Sequence, residues 1–243
     1  MAARGAIRSA LCWGDTSTPW DWAARLLTLS DGASTLLARD NESLNSLVKV
    51  DQLVFRTHGF ALDRDHAALH GTTDEVTVVP RVAHVGRTSW QFVCAVRADD
   101  ERVATTRGTF VHVDATTRRP APLPETLKLA LSRRLSPDED DPFPGGAALD
   151  ALKWTAVDAD AWRLVLRRSD ADGVGHVNNA RWAAFAYDVL APGARVSAMD
   201  VEYRSETLPG QELRCVAATA PYLDCSATRL SFFSDTAEDA CTV

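Results

Sequence analysis

The chain is poor in the features that mark metal-bound, membrane-spanning or nucleic-acid-binding proteins. Its cysteines, Cys12, Cys94, Cys215, Cys225 and Cys241, are odd in number and far apart, with no Cys-x-x-Cys pair and no Cys/His cluster. That leaves no motif for zinc and predicts buried thiols in a reducing compartment. No apolar run approaches the roughly 20 residues that a membrane span needs. The N-terminus lacks a secretory apolar core, and Met1-Ala-Ala-Arg4 is too short for an organellar transit peptide. Together these absences predict a cytoplasmic location. Positive charge is also in deficit: the net charge of −7 argues against general nucleic-acid binding, which needs an excess of Lys and Arg to neutralise phosphates. Arg118, Arg119, Lys128, Arg133 and Arg134 form a local basic grouping and read as a solvated surface.

What is present suffices for a sizeable core. The 243 residues, 46% hydrophobic and 24% charged, fit one large domain or two ordinary ones. Residues 6–13 read as a strand, followed by a helix that Thr18 can cap and Pro19 can start. Trp22, Leu26, Leu29, Ala33 and Leu36, with Leu37 beside them, give that helix an apolar stripe. After residue 50 the pattern turns to strands: Glu75–Val85, then Trp90, Phe92, Cys94 and Val96 on one face of a largely buried run, then Val103–Val113. Asp99-Asp100 reads as a hairpin turn. Pro120, Pro122 and Pro124 break the pattern, a short helix is expected at 125–134, and the acidic, Pro- and Gly-rich stretch 136–146 reads as a linker.

The second half repeats this order. Trp162–Arg168 reads as a strand, an acidic loop follows, and Trp182, Phe185, Ala186 and Val189 give the next helix its stripe, ending at Pro192-Gly193. Met199, Val201 and Tyr203, then Leu213, Cys215 and Ala217, alternate with polar or solvent-facing positions, and Leu230–Phe233 and Ala240–Val243 close the sheet. Each half is therefore strand, loop, helix and a run of antiparallel strands, an α+β unit in which one long helix covers one apolar sheet face. The expected organisation is an N-terminal unit over 1–124, a connecting segment over 125–150 and a C-terminal unit over 151–243.

The densest chemistry lies in the loop of the second half. Asp170-Ala171-Asp172-Gly173-Val174-Gly175-His176-Val177-Asn178-Asn179 puts two carboxylates, an imidazole and two side-chain amides directly before a helix. Unpaired N–H groups at a helix N-terminus favour negative charge there. Taken singly, Asp170 and Asp172 are turn formers, His176 is a structural hydrogen-bonder, Asn178 is a helix cap and Glu206 is a solvated strand end. Taken together at this spacing they form a candidate active site. His58, His66, His70, His84 and His112 show no ligand spacing and read as surface or strand residues; Trp20, Trp22, Trp90 and Trp182 read as core.

The run Asp-x-Asp-x-x-Gly-His-Val-Asn-Asn-Ala-Arg from Asp170 to Arg181 resembles hotdog-fold thioesterases, both the 4-hydroxybenzoyl-CoA thioesterase group and the acyl-carrier-protein thioesterases of tandem architecture. Trp13-Gly14-Asp15-Thr16, Val85-Gly86-Arg87-Thr88 and Thr116-Thr117-Arg118-Arg119-Pro120 are similar to segments of such units. The resemblance implies a tandem (double) hotdog, each unit a long helix on an antiparallel sheet. It places Asp172 at the catalytic carboxylate, His176 at the catalytic histidine and Glu206, in Val201-Glu-Tyr-Arg-Ser-Glu206, at a further catalytic acid. Val174 stands where the carrier-protein enzymes have a catalytic asparagine, so Asn178 or Asn179 takes that role, or the mechanism follows the simpler aspartate-centred branch. Asp170 is kept as structural support. Aligning Asp15 with Asp170 sets Ser17 opposite Asp172, Asp21 near His176, and Ala23 and Ala24 opposite the asparagines, which predicts a first unit that serves as scaffold and acyl pocket.

The chemistry so implied is hydrolysis of an acyl thioester carried by acyl-carrier protein or coenzyme A, with no metal and no cofactor. Asp172 acts as nucleophile or as general base on water, His176 polarises the carbonyl or orients water, and Glu206 holds the imidazole. Asn178, Asn179 and the helix N-terminus face the developing oxyanion. Two readings stay open beside it: a hotdog dehydratase or hydratase acting on 3-hydroxyacyl thioesters, and a non-catalytic acyl-binding protein. Whether tandem chains pair as a homodimer is also open.

Overall fold

The computed structural model describes residues 7–10, 19–37, 52–63, 75–98, 101–136, 151–157, 162–173, 175–190, 194–223, 225–234 and 237–242. The chain divides into two compact units, Met1–Pro142 and Phe143–Val243.

In the first unit, β1 (Ile7–Ala10), α1 (Pro19–Leu36), β2 (Leu53–Leu62), β3 (Glu75–Val85), β4 (Ser89–Ala98) and β5 (Glu101–His112) follow one another. The strands pair antiparallel in the order β1-β3-β4-β5-β2. Ala98 pairs with Glu101, so β4 and β5 are a hairpin; the expected turn residues Asp99 and Asp100 lie outside the described residues. α1 lies on β3, β5 and β2. Its buried stripe is Ala23, Leu26, Leu27, Ser30, Ala33, Ser34 and Leu37, while Leu29 is half-buried. An apolar count passes over the two serines. Small side chains let a helix approach a sheet closely, and their hydroxyls are satisfied: Ser30 Oγ accepts from Thr106 Oγ1 at 2.7 Å, and Ser34 Oγ donates to the Asp31 carbonyl at 2.7 Å. The side chains of Trp20, Trp22 and Leu36 lie outside the described residues.

Trp90, Phe92, Cys94 and Val96 are all buried, as their spacing predicts. In the same register His58 pairs with Gly108 and Gly108 with Phe92, which sets these three on one face. A Cβ on Gly108 would lie 2.5 Å from the Phe92 ring, so glycine is what lets that ring lie flat across β5. The short helix expected at 125–134 runs Glu125–Ser132 (α2), packs on β3, and buries Leu127 and Leu131. Beyond it the Ser136 N–H donates to the Val82 carbonyl at 2.9 Å. The acidic stretch read as a linker falls, from residue 137 on, outside the described residues.

In the second unit the strands β6 (Thr155–Val157), β7 (Arg163–Val165), β8 (Ala198–Tyr203), β9 (Glu212–Tyr222), β10 (Cys225–Ser234) and β11 (Ala237–Thr242) pair in the order β8-β11-β10-β9-β6, with β7 also on β9. The strand expected over Trp162–Arg168 is shorter than its hydropathy suggests. It ends at Val165, and Arg168–Asp170 forms a 3-10 turn because the Asp170 carboxylate takes the Arg167 N–H at 2.9 Å. α3 (Arg181–Val189) buries Trp182, Phe185 and Ala186. Trp182 meets Phe232 at 5.5 Å and Trp162 meets Phe232 at 5.3 Å, an edge-to-face cluster under the helix. Met199 and Val201 are buried, as are Leu213, Cys215 and Ala217. Cys94 and Cys215 are buried free thiols, but Cys225, on the β9–β10 hairpin, is exposed: a thiol at a hairpin end has no sheet face above it.

Candidate active site

The site is built on a tight loop between the 3-10 turn and α3. Ala171 and Val177 form an isolated antiparallel bridge, closing a small hairpin whose tip holds Asp172 to His176. The Asp172 N–H donates to the His176 carbonyl at 2.8 Å, and its carboxylate Oδ1 accepts the N–H groups of Gly175 at 3.0 Å and His176 at 3.2 Å. Gly175 has φ +94°, a conformation that a Cβ would strain, so the glycine is what allows the chain to turn back. Val174 lies outside the described residues.

Asp170 anchors the loop from inside. Its side chain is fully buried and receives Arg167 Nε at 3.3 Å, Arg181 Nε at 3.1 Å and Arg181 Nη2 at 3.0 Å, besides the Arg167 N–H. Burial pushes this carboxyl up, but the hydrogen bonds and charge of Arg167, with the charge of Arg181, outweigh it and hold the group below the ordinary carboxylate range. Its main-chain carbonyl accepts the Asn178 N–H at 2.8 Å, so the buried ion cluster fixes both ends of the hairpin. Arg167 and Arg181 were not singled out by the sequence reading. The i, i+3 spacing of Arg167 and Asp170 is a usable signal; Arg181, eleven residues on, closes the motif, but no local spacing ties it to Asp170.

The remaining candidates divide into two groups. His176 is half-buried, and its Nε2 lies 3.9 Å from Glu206 Oε2, within ion-pair reach and beyond direct hydrogen-bond length. The Val177 N–H donates to the Thr207 carbonyl at 3.0 Å, and this main-chain link holds the Glu206 segment beside the imidazole. His176 and Glu206 are thus neighbours, and Asp172 meets His176 at the main-chain N–H. Asn178 does helix work: its Oδ1 accepts the Ala180 N–H at 2.9 Å and its carbonyl accepts the Arg181 N–H at 2.9 Å. The Trp182 N–H reaches the Asn179 carbonyl at 3.4 Å, so the first N–H groups of α3 are paired within the motif. Tyr203 Oη donates to the same Asn179 carbonyl at 3.1 Å, tying the helix start to β8. The Asn179 side chain forms no hydrogen bond among the described residues.

Asp15 and Ser17, and the side chains of Asp21 and Ala24, lie outside the described residues, while Ala23 lies on the buried face of α1. Of the other histidines, His84 is exposed on β3, His112 Nδ1 is 2.7 Å from the Pro122 carbonyl, and His58 is buried on β2. Among the described residues no group of three or more His, Cys, Asp or Glu side chains could hold a metal ion.

Two runs of antiparallel strands in tandem, each with a helix packed on it, and a polar hairpin before α3 define a double hotdog. Residues 66–131 match the thioesterase-like superfamily, and residues 157–242 match the acyl-ACP thioesterase C-terminal domain. Among solved structures the chain is similar to an acyl-ACP thioesterase from Bacteroides thetaiotaomicron (TM-score 0.72, 19% identity, 98% of this chain and 95% of that one). It is also similar to the 12:0-ACP thioesterase from Umbellularia californica (TM-score 0.72, 15% identity, 100% and 97%). No curated protein matches the chain in sequence. The structural likenesses bear on fold, and the two matched segments bear on activity: the chain is a hotdog-fold thioesterase, hydrolysing a thioester bond. No helix among the described residues is long and apolar enough to cross a membrane.

Proposed function

We propose that the chain releases a free acid from an acyl thioester on acyl-carrier protein in the cytoplasm, at one site made of Asp172, His176 and Glu206. The observation that supports this best is the approach of His176 Nε2 to Glu206 Oε2 at 3.9 Å, on the same hairpin where Asp172 Oδ1 accepts the His176 main-chain N–H at 3.2 Å. Asp172 attacks the thioester carbonyl or deprotonates the attacking water. His176 polarises the carbonyl or orients the water, and Glu206 holds the imidazole in place. The oxyanion is met by the Asn179 amide. Asn178 contributes by accepting the Ala180 N–H in the turn before α3 and Asp170 by fixing the hairpin. The family of the second unit favours the carrier protein over coenzyme A as the acyl donor. The two units divide the work, 151–243 holding the catalytic groups and 1–124 serving as scaffold and acyl pocket, with 125–150 joining them.

Free-thiol release from matched acyl-ACP and acyl-coenzyme A panels tests the reading. Hydrolysis with a higher kcat/KM for the carrier-linked acyl group is expected. No thiol release from either carrier would overturn hydrolysis, and a preference for coenzyme A would overturn the carrier assignment. A single turnover in ¹⁸O-water bears on the role of Asp172: label in the protein carboxylate marks a nucleophile whose anhydride opens at the aspartyl carbon, while label only in the released acid fits a base or an anhydride opened at the acyl carbon, and trapping of the anhydride by hydroxylamine separates those two.

A further inference from the structure

The interior of the first unit holds polar groups that the fold leaves unsatisfied. His58, on β2, is buried, and among the described residues neither Nδ1 nor Nε2 has a hydrogen-bond partner; the Nε1–H of buried Trp90, on β4, has none among them either. Both rings line one aromatic wall. His58 stacks on Phe55 at 4.9 Å with its plane 7° from parallel, and stands edge-on to Phe92 at 6.2 Å. Trp90 stacks on Phe110 at 5.1 Å and meets Phe92 at 5.8 Å, and Phe110 meets Phe55 at 4.1 Å. Three of the five rings are phenylalanine. Phenylalanine at the other two positions would fill the same wall with no unpaired nitrogen. Buried donors and acceptors without partners cost stability, and folds rarely keep them without a use.

The chemistry of the pair narrows that use. A neutral imidazole offers one donor and one acceptor, and an indole offers one donor. A hydrocarbon satisfies none of these, and a ketone cannot satisfy the acceptor nitrogen. A hydroxyl can, since it donates to one nitrogen and accepts from an N–H. His58 is held neutral by its surroundings: burial pushes its pKa down to about 3.

We propose that the first unit binds a hydroxylated acyl chain, with the hydroxyl donating to a His58 nitrogen and Trp90 Nε1–H available as a donor on the same wall. This rests on the reading of the chain as an acyl thioester hydrolase whose first unit holds the acyl group. His58 and Trp90 are then specificity-determining residues, set apart from the groups that act on the thioester.

The test compares dodecanoyl-ACP with hydroxydodecanoyl-ACP isomers that carry the hydroxyl at successive carbons, using the full chain and the free-thiol assay. For at least one isomer kcat/KM should exceed that of the saturated chain by roughly tenfold, the scale of one satisfied buried hydrogen bond. His58→Phe should abolish that preference while still hydrolysing the saturated chain, and His58→Gln, which keeps a donor and an acceptor, should restore part of it. Equal or lower kcat/KM for every hydroxylated isomer overturns the proposal and leaves the hydrolase reading standing. No thiol release from any substrate counts against the hydrolase reading, and binding is then read without turnover. The indole ¹H–¹⁵N resonance of Trp90, assigned with Trp90→Phe, is followed in the wild-type chain with dodecanoic acid and with the hydroxy acids. A shift specific to a hydroxy acid supports the proposal. Equal shifts, or none, overturn it, and the wild-type measurement stands even if the variants fail to fold.

Discussion

Nε2 of His176 and Oε2 of Glu206 lie 3.9 Å apart, close enough for the carboxylate to stabilise an imidazolium and far enough that no direct hydrogen bond holds the pair at rest. A modest approach of the two side chains would close that distance. Glu206→Gln removes the charge and keeps the size, and should lower kcat roughly tenfold or more with KM little changed, the pattern of an interaction made in the transition state. Steady-state kinetics on one acyl-ACP substrate checks this. Unchanged kcat would remove Glu206 from the site.

Asp172 has two jobs that one pair of substitutions separates. Asp172→Asn keeps an oxygen to accept the Gly175 and His176 N–H groups, so the hairpin persists while the carboxylate chemistry is lost. Turnover should fall at least about a hundredfold with the thermal midpoint nearly unchanged. Asp172→Ala should lose both activity and some thermal stability. If the asparagine variant works normally, Asp172 is a loop former only.

The buried Asp170 carboxylate answers Arg167 and Arg181, and Asp170→Ala leaves both guanidinium groups without it. Because those two arginines are themselves partly exposed, the expected cost is roughly 1–3 kcal/mol rather than the larger penalty of a fully buried charge. Urea unfolding measures it. The sign with pH follows from the lowered pKa: Asp170 stabilises the fold above the ordinary carboxylate value and that contribution is lost as pH falls through its folded value. Acid unfolding of the alanine variant should therefore be shallower in that range.

His58 gives the opposite kind of group the same sense of pH dependence. In the unfolded chain it titrates near 6.5, while in the fold burial holds it near 3. Between those values the unfolded chain takes up a proton that the folded chain declines, so stability falls as pH drops below 6.5 and this contribution stops changing below about 3. Its ring neighbours Phe55 and Phe92 carry no charge that could offset the effect. His58→Phe should flatten the loss of thermal midpoint between neutral pH and pH 4. An equal slope in wild type and variant would show that the imidazole is solvated.

Gly108 and Ser30 show where reading the chain residue by residue stops. The alternation of Trp90 to Val96 announced a buried strand and the structure agrees, because burial on a sheet has period two. Ser30 cannot be assigned to the buried stripe of α1 from the chain alone, since its fit depends on Thr106, seventy-six residues away. Trp162–Arg168 was apolar enough to read as one strand, yet a carboxylate three residues beyond Arg167 captures its N–H and ends the strand early.

The order of strand, loop, helix and strands, repeated in two halves, was fixed by local hydrophobic period and capping, which act over a few residues. So was the gathering of Asp170, Asp172, His176 and the asparagines, which share one hairpin. The approach of Glu206 to His176 depended on a main-chain bond from Val177 to Thr207, and the clamp of Arg181 on Asp170 depended on where α3 begins. The nitrogens of His58 and Trp90 that find no partner among the described residues stand together only because separate strands bring their rings to one wall. Local order can be read along a chain because its forces are local; pairing between distant residues is decided when the sheet closes its register.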